Sequence, residues 1–382
     1  MSAGPARILT ILLLWLVGLG AAAQFAKIAV PFATVRAFYP DAGDAVGWLL
    51  SIVSLSGAIL GIVFGNLVAR AGEKRIIIAG LILGALMSLW QASIPSFGWM
   101  LFSRFLEGLS HLTIVVAAPT LITQLAGDRL RPFALSFWST FFGVAFAIFA
   151  WIVIPLFPSD DLGGLLSAHG IYMAIAAGLL LFILPKDEPK EVQATNVIAS
   201  HLRAYSTPII AAPAVGWLFY TLTFVSLIAL IPESLPVGEA AWASGLMPLM
   251  SIATSLFLVP LIATRYSSLH AIYAGFAIGA VLILFAINID LRAIVAVIFF
   301  GVIGLVQGGS FASVPELNKT AEDQALAYGF MAQMGNVGNL LGTPILLWVI
   351  SLGGDSAKYG AITLLYIMAI AANMALARAR KA

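Results

Sequence analysis

Twelve apolar stretches, each long enough to fill a window of about 19 residues, divide this sequence and are separated mostly by short polar turns. They run approximately over 8–37, 46–69, 76–95, 98–126, 132–156, 165–185, 208–231, 242–264, 269–288, 291–315, 325–351 and 359–377. A helix needs about 20 apolar residues to cross the hydrocarbon core, and in lipid each backbone N–H and C=O must be satisfied within its own segment. Twelve such segments therefore dictate an all-α membrane protein. Composition agrees: 61% of residues are hydrophobic and 9% charged, against about 45–50% and about 25% in ordinary soluble domains. There is no cysteine, so disulfides, thiol catalysis and cysteine-held zinc or iron–sulfur groups are excluded within the chain. The net charge of +2 is small and lies in short turns, which argues against a nucleic-acid partner.

Charge sets the orientation. With both termini in the cytoplasm, 14 of the 19 Lys and Arg residues fall in cytoplasmic turns or tails, as the positive-inside bias requires. The inverted topology reverses that bias. The expectation is a multi-pass protein of the cytoplasmic (inner) membrane of a bacterium, the origin being read from the compact loops. Arg7, the apolar run after it and Ala21-Ala22-Ala23 imitate a signal peptide with its cleavage site. The apolar character continues to Phe38, however, and cleavage would leave an odd number of spans, so this stretch is read as the first span.

The longest polar connection, 186–207, falls in the middle of the twelve spans and reads as a linker between halves. The halves echo each other. Gly108-Leu109, Pro119 and Leu121 in the fourth span match Gly304-Leu305, Pro315 and Leu317 in the tenth at an offset of 196. Leu67 to Arg70 faces Ile262 to Arg265 at an offset of 195, and Ala134 to Phe137 faces Ala327 to Phe330 at 193. Matches in chain order with nearly constant offset indicate a duplicated six-helix unit.

The turn between the second and third spans reads Gly-Asn-Leu-Val-Ala-Arg-Ala-Gly-Glu-Lys-Arg over 65–75. As a bare sequence it is a basic topology loop. Its Gly65, Leu67, Arg70, Gly72, Lys74 and Arg75 also resemble the loop between helices 2 and 3 of the major facilitator superfamily, Gly-x-Leu-x-Asp-Arg-x-Gly-Arg-Arg/Lys. Ala69 departs from that pattern, standing where the family has an Asp associated with charge contacts of the outward-facing state. Arg104 and Gly108 resemble the Arg-x-x-x-Gly of the family's fourth helix. The glycine-proline motif of drug/proton antiporters is missing from the fifth, where Gly143 is followed by Val-Ala-Phe-Ala-Ile-Phe. The resemblance implies twelve transmembrane helices in two pseudo-symmetric six-helix bundles, 1–185 and 208–382, joined by the cytoplasmic linker 186–207. It implies rocking of the two bundles about a site near the midplane, a functional monomer, and a cavity lined by helices 1, 4, 7 and 10. It assigns Gly65, Arg70, Gly72 and Arg75 to conformational gating.

Ionisable groups within a bilayer cost about 2.5–3.5 kcal/mol each on insertion scales, so each needs a reason. The fourth span carries Arg104, Glu107 and His111 at spacings of three to four, hence on one helical face. The first carries Gln24 and Lys27. Three potential cations around one carboxylate would attract an anionic group, which makes Lys27, Gln24, Arg104 and His111 candidates for substrate binding. A carboxylate beside an arginine links proton occupancy to access, which makes Glu107, Arg104 and His111 candidates for proton coupling. The competing account is a static Arg104–Glu107 pair that tethers its helix, with Lys27 snorkelling to the headgroups. In the second half the candidates are uncharged: Trp217, Tyr220 and Thr221 with Phe224 on the seventh span, Gln307 with Ser310 on the tenth, and Gln333 and Asn336 with Asn339 on the eleventh. Such groups either contact an organic solute or join helices at about 0.6 kcal/mol each. Glu316, after Pro315, reads as a loop residue, and Gly335, Gly338 and Gly342 before Pro344 as a site of close helix contact.

No His-Glu-x-x-His, Gly-x-Ser-x-Gly or phosphate-loop pattern occurs, so the chain is not expected to be an enzyme, to hold a metal or cofactor, or to hydrolyse ATP. The reading is a secondary transporter drawing on the proton gradient, with a small, anionic organic solute and the lipid bilayer as its partners. The alternatives are proton-driven efflux of drugs or metabolites and a passive facilitator or channel, the last favoured if Glu107 stays paired and transport ignores the pH gradient.

Overall fold

The computed structural model describes residues 4–158, 160–184, 186–187, 196–285 and 293–380. Among them all regular structure is helical. Ten helices among the described residues are long and apolar enough to cross a membrane. The last of these, Glu322–Ala379, contains two of the expected spans, parted where Gly353 and Gly354 leave helical geometry. The third expected span is the 19-residue helix Glu73–Gln91, whose first turn is charged. Among the described residues, helices thus stand at each of the twelve expected spans.

Local chemistry adjusts several boundaries. The first span divides into Pro5–Ala29 and the short helix Phe32–Phe38, because Pro31 lacks the N–H that would continue the ladder. The turn expected between the fourth and fifth spans is a single non-helical residue, Gly127, inside Phe97–Ser139. Of the expected linker, residues 188–195 lie outside the described residues, and Val197–Ser206 is a helix whose first turn is capped by the Asn196 side chain accepting from Ala199 N–H. Three of the 19 Lys and Arg residues, Lys190, Arg292 and Lys381, also lie outside the described residues.

Two compact units are present: Met1–Asp41 with Val63–Thr195, and Ala42–Ile62 with Asn196–Ala382. In the first, four helices matter for the site: α1 (Pro5–Ala29), α2 (Glu73–Gln91), α3 (Phe97–Ser139) and α4 (Leu162–Ile183). α1 packs on α3 and α4, and α2 packs on the same two. Close approach depends on a missing side chain: a Cβ at Gly84 of α2 would meet Ser110 Oγ at 2.6 Å, Met173 Cε at 2.7 Å and Gln24 Nε2 at 2.9 Å, one from each of the other three helices. In the second unit, α5 (Pro208–Leu230) packs against α7 (Ala293–Leu317) and α8 (Ala321–Ala379), and α6 (Val237–Ala253) against α7.

Candidate functional site

The four helices of the first unit bring a polar cluster into an apolar interior. α1 contributes Lys27, α2 contributes Ser88 and Gln91, α3 contributes Arg104 and Glu107, and α4 contributes His169. Lys27, Arg104 and Glu107 are each 0% exposed, so none of the three is open to water in this structure. Buried charges persist only when paired and hydrogen-bonded, and here the pairing is dense. Lys27 Nζ donates to Glu107 Oε1 at 2.6 Å, Ser88 Oγ at 2.6 Å and Gln91 Oε1 at 2.8 Å. These three acceptors account for all three protons of an ammonium. Glu107 Oε2 accepts from Gln91 Nε2 at 2.9 Å and from Arg104 Nη1.

His169 completes the set. Its Nε2 lies 3.0 Å from the Gly20 carbonyl oxygen, which can only accept, so Nε2 carries a proton. Its Nδ1 lies 2.7 Å from Ser88 Oγ and 3.4 Å from Lys27 Nζ. The bonded set thus contains two cations, one carboxylate, and a histidine beside the lysine. A layer further along, Gln24 Nε2 donates to Ser110 Oγ at 2.8 Å, which itself donates to Gly80 O at 2.6 Å. Gln24 Oε1 is buried with no partner among the described residues. His111 stands apart from the charges: its Nδ1 donates to Ala21 O at 3.0 Å, and its ring meets Phe25 edge-on, with centroids 5.0 Å apart.

In the second unit the aromatic stripe forms as its spacing suggests. Trp217 stacks on Tyr220 and Tyr220 on Phe224, both with centroids 4.9 Å apart. Tyr220 OH donates to Gln307 Oε1 at 3.0 Å, Ser251 Oγ donates to the same oxygen at 2.9 Å, and the two hydroxyls are 3.2 Å apart. The remaining candidates join helices or bond their own turn. Thr221 bonds back to Trp217 O and Leu218 O. Gln333 Nε2 donates to Ala58 O at 2.9 Å, and Asn336 Nδ2 to Ala332 O at 2.8 Å, with Asn336 seated over Gly57.

The basic turn is held by a residue far along the chain. Gly65 lies within the helix Leu55–Ala71, Arg70 is an exposed residue near its end, and Gly72 takes φ +92°, a conformation open to glycine at little cost. Asp187 then caps α2: Oδ1 accepts from Lys74 N–H at 2.8 Å and Oδ2 from Arg75 N–H at 3.1 Å. A carboxylate at a helix N-terminus satisfies orphan amides and complements the dipole. Lys74 Nζ donates to Leu184 O at 2.7 Å, and the exposed Arg75 guanidinium lies 3.8 Å from Asp187.

A family model described as Major Facilitator Superfamily matches residues 14–343. The chain belongs to the major facilitator superfamily. Its fold agrees with that of solved members: it superposes with a TM-score of 0.73 on the crystal structure of a bacterial homolog of the human lysosomal transporter Spinster, at 14% identity over 99% of this chain and 98% of that one. It is 28% identical over 165 residues to the 4-hydroxybenzoate transporter PcaK of Pseudomonas aeruginosa, covering 42% of this chain and 36% of the relative. It is 30% identical over 152 residues to the niacin transporter NiaP of Acinetobacter baylyi, covering 38% and 34%. The matched stretch thus spans about a third of the length of these two relatives. It is 25% identical over 289 residues to the uncharacterized transporter YycB of Bacillus subtilis, covering 72% and 65%.

Within this superfamily member, sequence reasoning missed Ser88, Gln91, His169 and Asp187. His169 carried a usable signal, being an ionisable residue inside an apolar span. Ser88 and Gln91 are three apart in the third span and were legible only as ordinary polar residues. Asp187 sits in a charged linker where nothing local marks it as a cap.

Proposed function

We propose that this chain is a proton-coupled secondary transporter for a small organic anion, acting by alternating access in the inner membrane. The observation that carries the reading is the buried cluster of Lys27, Arg104 and Glu107, two cations on one carboxylate with 0% exposure. An excess positive charge in a low-dielectric interior attracts an anion, and changing the proton count at the cluster changes that attraction. The names of two relatives, transporters of 4-hydroxybenzoate and niacin, support a carboxylate on a small aromatic ring as the solute. The stack of Trp217, Tyr220 and Phe224, with the Gln307 amide bonded to the tyrosine, suits such a ring.

In this reading the bundles 1–185 and 208–382 rock as a monomer about the linker 186–207, with both termini cytoplasmic. Gly72 and Arg75, pinned to Asp187, form part of the gate with Gly65 and Arg70. The proton gradient is the energy source, with no cofactor. The test uses proteoliposomes carrying an imposed pH gradient, with labelled 4-hydroxybenzoate, nicotinate and a cationic dye. Accumulation of an anion, lost in Glu107→Gln and Arg104→Ala, is the expected result. Dye extrusion would replace this reading with efflux, and equilibration indifferent to pH would replace it with a passive facilitator.

A further inference from the structure

His169 lies outside every role assigned so far, yet it is built into the cluster from both sides. Gly20 O holds its Nε2–H at 3.0 Å, so Nδ1 is the nitrogen available for exchange, and that nitrogen faces Ser88 Oγ at 2.7 Å. The same hydroxyl lies 2.6 Å from Lys27 Nζ. Two bases therefore share one hydroxyl, which also lies 3.2 Å from Glu107 Oε1. The charged groups facing His169 are Lys27 from α1 and Arg104 and Glu107 from α3; α2 presents the neutral Ser88 and Gln91.

We propose that Lys27 and His169 exchange a proton through the Ser88 hydroxyl, so that the cluster stores its excess proton on either α1 or α4. The step balances without any heavy atom moving far. One Lys27 N–H bond breaks as its proton passes to Ser88 Oγ; the original Ser88 O–H bond breaks as its proton passes to the lone pair of His169 Nδ1. The products are a neutral amine and an imidazolium, with the net charge unchanged. The two hydrogen bonds of the relay survive with their direction reversed. Ser88 now donates to the Lys27 lone pair and accepts from Nδ1–H, while the two remaining Lys27 protons stay on Gln91 Oε1 and Glu107 Oε1. A network satisfied in two proton arrangements is one in which neither arrangement leaves a buried group unpaired.

The transport consequence rests on the proton-coupled reading; the exchange itself does not. It is tested first by ¹⁵N ring spectra of histidine-labelled full-length protein in lipid nanodiscs, with the His169 signal assigned by its loss in His169→Gln. The expected results are the Nε2–H tautomer in the neutral form and a titration midpoint that moves by about one unit or more in Lys27→Gln, as interacting sites require. An Nδ1–H tautomer, or a midpoint moving by less than that, overturns the exchange. The second arm compares Ser88→Ala with Ser88→Thr in proteoliposomes. The ratio of pH-driven accumulation to counterflow exchange of 4-hydroxybenzoate or nicotinate should fall about tenfold in the alanine variant and recover in the threonine variant, which restores the hydroxyl. An unchanged ratio in Ser88→Ala overturns the relay. A parent protein indifferent to the pH gradient overturns the proton-coupled reading instead, while the spectra still judge the exchange.

Discussion

Glu107→Gln is predicted to destabilise the first unit more than Lys27→Met, although each removes one charge from the same cluster. The carboxylate of Glu107 separates two cations, with Lys27 on Oε1 at 2.6 Å and Arg104 on Oε2. Two like charges held on the two oxygens of one carboxylate, roughly 5–7 Å from each other, repel by about 2–3 kcal/mol at an effective dielectric of about 20. The glutamine keeps the shape and one acceptor oxygen, but turns an NH2 group toward either Lys27 or the donors of Arg104 and Gln91. Removing one partner from a buried ion pair costs about 3–5 kcal/mol. Lys27→Met instead leaves Arg104 and Glu107 matched one to one and strands the Gln91 oxygen, a loss of about 1–3 kcal/mol. The assay is the apparent thermal midpoint of purified protein in detergent, followed by tryptophan fluorescence at one scan rate, because unfolding of such proteins is commonly irreversible. The order expected is parent, Lys27→Met, then Glu107→Gln. The double variant should be more stable than Glu107→Gln, since it removes the repelling neighbour. A double variant with the summed loss of the two singles would refute the charge argument.

Further variants test the other contacts. Asp187→Ala should cost about 0.5–2 kcal/mol through loss of the α2 cap, seen as faster hydrogen exchange at the Lys74 and Arg75 amides. Gly72→Ala places a side chain at φ +92° directly against the Asp187 carboxylate and should lower the thermal midpoint by the equivalent of about 1–3 kcal/mol; in Asp187→Ala/Gly72→Ala, where that carboxylate is gone, the loss should be smaller than the sum of the two single losses. Tyr220→Phe removes the donor to Gln307 and should weaken solute affinity by about 0.5–1.5 kcal/mol, roughly three- to tenfold in KM with little change in thermal midpoint. Arg203→Gln breaks contacts to Glu322 and Asp323 at an exposed site, and its thermal midpoint should stay close to that of the parent because such pairs contribute about 0–1 kcal/mol.

What was legible in the sequence was local. Segment length against bilayer thickness marks a span from its own residues, so the twelve spans, the all-helical class and the basic turn at 65–75 follow without knowledge of packing. The Arg104–Glu107 contact is legible for the same reason, because residues three apart share a helix face wherever that helix lies. Tertiary structure decided which face of each helix meets which neighbour. These helices are apolar almost all round, so no polar stripe announces the buried side, and rotation about each axis is settled by packing summed over the bundle. That rotation brings Lys27 to Glu107 across 80 positions of sequence, Ser88 and Gln91 to the same carboxylate, and His169 to Ser88 across 81. It also places Asp187 on the amides of Lys74 and Arg75, more than 110 positions away. A hydrogen bond spans only about 3 Å, and over such separations in sequence only the packed fold can set a distance that short.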